Sequence, residues 1–285
     1  MAISARNVPR KPLTIRTLDL NEDVADVWNR VDVVTFSGQP DGPYIAGLAC
    51  SDRCVMEAQR LRYEVFNVEL GEGLSESAVT GLDQDPFDRQ MSHLVLLERA
   101  AGAVIGTYRV QTALHALKHD GLYSAGEFQL AGLAPYFDRT IELGRACIAT
   151  DHRRFAAVLV LWLGIGGFMN MHRQRYLFGC CSLTSSDPDD GWRAMKTIRA
   201  KDYLHPDIML AANDSCSCGP GSREFDEDLG EALLLPKLFR AYVRLGAKVV
   251  SEPAIDREFG TVDFLVFLDG YEVTLARLDV LERRV

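Results

Sequence analysis

The chain has 285 residues and a formal net charge of −9, with 47% hydrophobic and 25% charged residues. That is the balance of an ordinary globular protein with ample material for a core. So acidic a molecule does not as a whole seek nucleic acid or anionic lipid, and an acidic partner must be met by a local basic patch. The seven cysteines are odd in number and no leader-type apolar run precedes them, so reduced thiols in a cytoplasmic setting are expected rather than a disulfide framework. Neither Cys216 with Cys218 nor the adjacent Cys180 and Cys181 has zinc-ligand spacing, and no metal site is expected.

Residues 1–40 are polar and weakly periodic, with Arg6, Arg10, Lys11 and Arg16 ahead of the first acid, Asp19. They read as a flexible basic arm, and residues 41–285 as one domain. A strand is expected over 44–50, after which Ser51 or Asp52 caps a helix running to about residue 66. Beyond an acidic loop at 83–88, strands over 93–98 and 103–112 form a hairpin through a turn containing Gly102. A loop rich in Gly, Tyr and Phe leads to a strand at 141–149. The run 155–169 is almost wholly apolar, yet it is shorter than the ~20 residues a bilayer crossing needs. It carries three glycines and is bracketed by Arg153, Arg154, His172 and Arg173, so a buried core helix is expected. A strand at 176–183 and a helix opened by Asp187 and Pro188 and running to about 203 follow. A loop-rich stretch at 205–230, a helix near 232–245 and strands near 248–255 and 262–268 complete the chain. A hairpin followed by strand–helix–strand units makes an α/β protein with a mixed sheet and helices on both faces.

The strand at 141–149 feeds a helix N-terminus, where unpaired N–H groups and the positive dipole end favour phosphate. Arg153 and Arg154 add two guanidinium groups there, which suits the phosphodiester of a phosphopantetheine arm; the same residues also suit a solvated helix cap. Glu142 and Arg145 are charges in an apolar strand. Alternation separates them, whereas a bulge at Gly144 brings both to one side and frees backbone N–H groups for an acyl oxyanion. Glu142 then takes a proton from an attacking amine, directly or through water. A structural ion pair accounts for the same two residues. Arg62 and Phe66 share a helix face, Asp83, Asp85 and Asp88 gather in one loop, and Arg109 lies in the hairpin. Carboxylates for ammonium groups and an arginine for a carboxylate are what a cationic amino acid requires.

Arg62 with Phe66, Asp85 with Asp88, the run from Gly106 to Arg109, and the run from Glu142 to Arg145 resemble, in order and spacing, the acyl-homoserine-lactone synthases of the GNAT superfamily. Leu161 with Trp162, the run 178–182, the run 235–247 and the run from Asp256 to Asp263 are more similar to the L-ornithine N-alpha-acyltransferases. The resemblance covers about residues 44–268. It implies a GNAT acyltransferase fold, with a mixed, mostly antiparallel central sheet, a splayed strand and helices on both faces. It also implies transfer of a 3-hydroxyacyl group from acyl carrier protein to the alpha-amine of L-ornithine, giving lyso-ornithine lipid.

In that frame Glu142 and Arg145 are the catalytic pair, and Arg62, Phe66, Asp85, Asp88 and Arg109 hold the acceptor. Cys147, Ile148, Arg153, Arg154, Phe155 and Ala156 follow the phosphopantetheine arm, and no bound cofactor is expected. The superfamily's glycine-containing pyrophosphate loop is replaced by Arg153–Arg154–Phe155–Ala156–Ala157, in keeping with a carrier-bound donor. Lys237, Arg240 and Arg244, spaced three and four apart, make a basic face for the acidic carrier, with Arg193, Lys196, Arg199 and Lys201 as a second basic set. The partners expected are acyl carrier protein, L-ornithine and a transient contact with the inner-membrane surface. The enzymatic alternatives are acyl-homoserine-lactone synthesis or N-acylation of another amino acid. A haemolysin-like membrane-active protein is the non-enzymatic one, and it needs an amphipathic or spanning segment that the sequence does not offer.

Overall fold

The computed structural model describes residues 33–37, 42–225 and 229–273. Its strands are β1 (Val33–Ser37), β2 (Tyr44–Ala49), β3 (Ser92–Glu98), β4 (Ala103–Thr112), β5 (Thr140–Ile148), β6 (Tyr176–Leu183), β7 (Lys248–Val249), β8 (Ala254–Asp256) and β9 (Thr261–Asp269). The main helices are α1 (Asp52–Tyr63), α2 (Phe155–Met171), α3 (Pro188–Ala200) and α4 (Lys237–Leu245). All nine strands share one sheet in the order β1–β2–β3–β4–β5–β6–β9–β7, with β8 also on β9. Every pairing is antiparallel except β5 with β6.

Local chemistry sets most boundaries. The Ser51 side chain accepts from the Cys54 amide to open α1, and Asp187 accepts from the Asp189 amide one residue ahead of Pro188 to open α3. Gly102, at φ 62°, closes the β3–β4 hairpin. Three boundaries differ from expectation. Val33–Ser37 pairs with β2, so the stretch 1–40 is not an arm throughout; its other residues lie outside the described ones. The last helix starts only at Lys237, because Pro236 sits at its N-cap. The expected strand 248–255 is split into β7 and β8 around Pro253, which has no N–H for the ladder.

One face of the sheet carries α2, α3 and α4 over the main core, which includes Leu94, Tyr108, Ile141, Trp162, Phe168, Trp192, Phe239 and Phe264. Gly164 of α2 serves this packing: a Cβ there would lie 2.8 Å from Ala46 Cβ, so its absence lets helix and sheet approach closely. Among the described residues no helix is long and apolar enough to cross a membrane. The opposite face carries α1 and the short turns of 113–139, with Phe128, Leu130 and Leu133 packed on Phe178, Leu265 and Phe267.

The parallel pairing of β5 with β6 ends at Glu142 opposite Phe178. There the Leu143 carbonyl lies where a Cβ on Gly179 would have to go. Gly179→Ala is therefore expected to push the strands apart and cost roughly 1–3 kcal/mol. Gly144→Ala, whose Cβ meets nothing within 4 Å, should be tolerated in volume. Denaturant unfolding of both variants checks this.

Candidate active site

On the β4 side of β5, Arg109 faces Gly144 but Thr107 faces Cys147. Two residues of β4 thus span three of β5, which is a bulge. The left-handed residue is Arg145 (φ 51°) and not Gly144. An L-residue there costs roughly 1–2 kcal/mol, so something must hold it. Beyond Glu142 no pairing with β6 is recorded, although β5 continues to Ile148 and β6 to Leu183. The bulged stretch is therefore paired with β4 but not with β6.

Arg145 is held by its side chain. Its terminal nitrogen donates to Asp85 at 3.1 Å, and its Nε lies 3.5 Å from Asp83. The guanidinium sits 4.2 Å from the Phe259 ring centre and 5.5 Å from that of Tyr123. Phe66 supports it indirectly, by an edge-to-face contact with Phe259 at 5.3 Å. Arg62, fully buried, donates to Asp83 at 2.8 Å and to both oxygens of Asp88 at 2.9 Å. Arg109 donates to Asp85 and, at 3.2 Å, to Asp88. Burial alone would raise Asp85, but Arg109 and Arg145 hold its carboxyl below the usual range. His93 is pushed down by burial and then by Arg62, so three guanidinium groups face three carboxylates with a neutral ring beside them. Arg62, Asp85, Asp88, Arg109 and Arg145 are thus brought together and pair with one another through Asp83, Asp85 and Asp88, although Asp83 Oδ2 and the Nε of Arg109 and of Arg145 are buried without a hydrogen-bond partner. An open depression lined by Gln59, Asp85, Asp88 and His93 borders this network.

Glu142 is also buried. Its oxygens accept from the Gln111 side chain at 2.7 Å, the Tyr123 amide at 3.1 Å, and the Ser124 amide and hydroxyl at 2.8 Å each. A carboxylate with four donors anchors the 123–124 turn onto β5. Glu142 and Arg145 do not pair with each other.

The GNAT acetyltransferase domain family matches residues 61–163, from the end of α1 through bulged β5 into α2. The L-ornithine N(alpha)-acyltransferase of Agrobacterium fabrum is 31% identical over 237 residues, covering 78% of this chain and 79% of its own length. That of Rhodobacter capsulatus is 30% identical over 258 residues, covering 85% of this chain and 96% of its own. A solved N-acyl amino acid synthase from uncultured soil microbes aligns over 82% of this chain and 96% of its own, at 13% identity and a TM-score of 0.48. The chain belongs to the L-ornithine N-alpha-acyltransferase family. It is an N-acyltransferase with a GNAT fold.

Within this acyltransferase, the residues expected along the donor arm divide into two groups. Cys147 is buried and its thiol is pushed up to about 12 by burial, which disfavours the thiolate. Arg153 pairs with Glu69 in a partly exposed ion pair and donates to the Ile148 carbonyl at 2.9 Å. Arg154 is exposed, and no side chain caps the α2 N-terminus, where Phe155 and Ala156 begin the helix just beyond Ile148. Of the two basic sets, Arg193, Lys196 and Arg199 are engaged with Asp190, the Gly230 carbonyl and Glu224. Lys237, Arg240 and Arg244 of α4 have no recorded ion pair among the described residues, and Lys237 is exposed.

A second cluster was not anticipated from the sequence. Glu127, Cys180 and Asp263 bring two carboxylates and a thiol within 4.8 Å of one another. Asp256 stands near them, accepting from the Tyr123 hydroxyl at 3.2 Å. Burial and then neighbouring carboxylates raise both Glu127 and Asp263. The run from Asp256 to Asp263 was visible as a motif, but its partner Glu127 comes from an aperiodic loop.

Two outcomes follow. Glu142→Gln places an amide among four donors and should cost about 1–3 kcal/mol while the pH dependence of kcat keeps its shape; a lost acidic limb in a fully stable variant would restore Glu142 as the base. Because Glu127 and Asp263 have raised values in the folded state, that state binds more protons than the unfolded chain above about pH 4. Their contribution is present below that pH and is lost as pH rises through the raised values. Glu127→Gln should flatten this alkaline fall in melting temperature relative to the parent protein.

Proposed function

We propose that this enzyme transfers a fatty acyl group, a 3-hydroxyacyl group in particular, from acyl carrier protein to the alpha-amine of L-ornithine, forming lyso-ornithine lipid. The observation that carries the reading is the separation of β5 from β6 beyond Glu142, combined with the bulge at Arg145. A thioester lying along that open edge meets main-chain donors suited to an acyl oxyanion. The uncapped N-terminus of α2, with Arg154 beside it, suits the single phosphodiester of the pantetheine arm. The relatives' names point to ornithine as the acceptor.

The alpha-amine has a reference pKa near 8 against ~10.4 for a lysine-like side-chain amine, so it is the more readily available nucleophile. After it loses its first proton, its nitrogen forms a bond to the thioester carbon and the carbon–sulfur bond breaks. The proton shed by the nitrogen balances the one taken up by the departing thiolate. The first proton passes to solvent and the second needs no external base, in keeping with a Glu142 whose oxygens already accept four hydrogen bonds. Arg145 and the network behind it keep β5 in its bulged form. The acidic carrier meets Lys237, Arg240 and Arg244 on α4, and the enzyme works in the cytoplasm, touching the inner membrane where its amphipathic product is delivered.

Purified protein incubated with 3-hydroxyacyl carrier protein and a panel of amino acids should yield N-acyl-ornithine by mass spectrometry. Acylation of other amines with no ornithine conjugate would sink the acceptor assignment, and equal use of acyl-coenzyme A would sink the carrier preference. Charge reversal of Lys237, Arg240 and Arg244 together should raise the KM for acyl carrier protein at least tenfold and leave that for ornithine unchanged.

A further inference from the structure

The charged groups on the sheet face opposite α2–α4 fall into two sets with different balances. Around Arg62 every charge has an internal counterpart. Around Glu127 it does not. Glu127 is 6% exposed and Asp263 4%. The Oε1 of Glu127 accepts only a long 3.6 Å contact from the Cys180 thiol, and its buried Oε2 has no partner. Asp263 accepts from the Thr261 hydroxyl at 2.8 Å. Asp256 is occupied by Tyr123 and by the amides of Glu258 and Phe259. The cation acting on them is Arg145, which donates to Asp85 and lies 3.5 Å from Asp83. Two carboxylates are therefore buried side by side without a cation of their own, and an oxygen of one is left bare.

Their position is informative. Cys180 follows Gly179, at the point where β6 turns away from β5. Its thiol also reaches the Ser124 hydroxyl at 3.5 Å, and that hydroxyl donates to Glu142. The acidic pair thus lies beside the point where the β5–β6 pairing ends, next to the bulge. A compact group with a positive charge and several N–H donors satisfies both carboxylates and the bare Oε2 at once. Accepting the reaction proposed above, we infer that Glu127 and Asp263 hold the side-chain ammonium of the acceptor diamino acid, so that its alpha-amine is presented toward the open edge of β5. The upward shift of both acids agrees with this placement: burial raises both, Asp263 and Asp256 add to it at Glu127, and Asp256 adds to it at Asp263. The acids are specificity groups, and their loss removes preference rather than chemistry.

The test compares ornithine with norvaline, which has the same carbon chain without the ammonium. In the parent enzyme ornithine should have the lower KM. In Glu127→Gln and in Glu127→Gln/Asp263→Asn the KM for ornithine should rise at least 30-fold, while kcat/KM for norvaline and the KM of the acyl donor stay within twofold. Neutralising a repelling pair leaves the fold intact, which melting curves confirm. Retained preference for ornithine in the folded variants overturns the inference, as does equal loss of both amino acids. A stoichiometric metal in the parent protein that disappears from the variants overturns it too, since the pair would then be a cation site of another kind. A parent enzyme that acylates ornithine and norvaline alike also overturns it but leaves the proposed reaction standing. A parent that acylates only non-ornithine amines removes the proposed reaction itself.

Discussion

The architecture depends on a conflict at one point in the sheet. Parallel pairing would draw β5 and β6 together along their whole lengths, yet it stops after three residue pairs, at Glu142 and Phe178. Gly179 lets the Leu143 carbonyl press against β6 at that point, and the bulge at Arg145 then turns β5 away. A stretch of strand whose polar edge is left without a neighbour is costly in a protein interior, so the opening exists only because surrounding groups enforce it.

The enforcement comes from the ion network. A left-handed arginine is strained, and glycine would serve at lower conformational cost. Arginine is there because its side chain is the clamp: Asp83 and Asp85 hold the guanidinium while Tyr123 and Phe259 flank it. Those acids come from one loop, which is itself fixed by Arg62 of α1 and Arg109 of β4. Buried ion pairs add little net stability once desolvation is counted, but removing one member leaves an uncompensated charge. The network accordingly ties three separate segments into one arrangement and passes it to β5. Glu142 acts in the same way on the other side, using four donors to place the turn that carries Tyr123 and Ser124.

How much of this was legible in the sequence follows the range of each interaction. The β3–β4 hairpin, β6, the caps at Ser51 and Asp187 and the apolar α2 are local patterns, and they fall close to where alternation and capping chemistry place them. The bulge was legible too, although its left-handed residue is the arginine beside the glycine. Contacts between distant segments were not legible. Arg153 stands at a helix start as an anion-binding residue would, but Glu69, 84 positions away, occupies it. Glu142 has the residue type and strand position of a base, and only the folded turn at 123–124 shows its oxygens to be filled. Glu127 gave no signal at all, because an acid in an aperiodic loop reads as solvated until Asp263 is folded against it.

The two clusters also show why residue type alone does not reveal role. Both consist of buried carboxylates on the same sheet face. One has as many guanidinium groups as acids, so its charges are matched when the chain folds, even though Asp83 Oδ2 is left without a hydrogen bond. The other has acids without a matching cation and a bare oxygen, and it is finished only by protons or by a positive group that arrives from outside. Of the two, the balanced set is suited to fixing geometry, because nothing need enter it. The unbalanced set, placed where the sheet opens, is suited to choosing what enters.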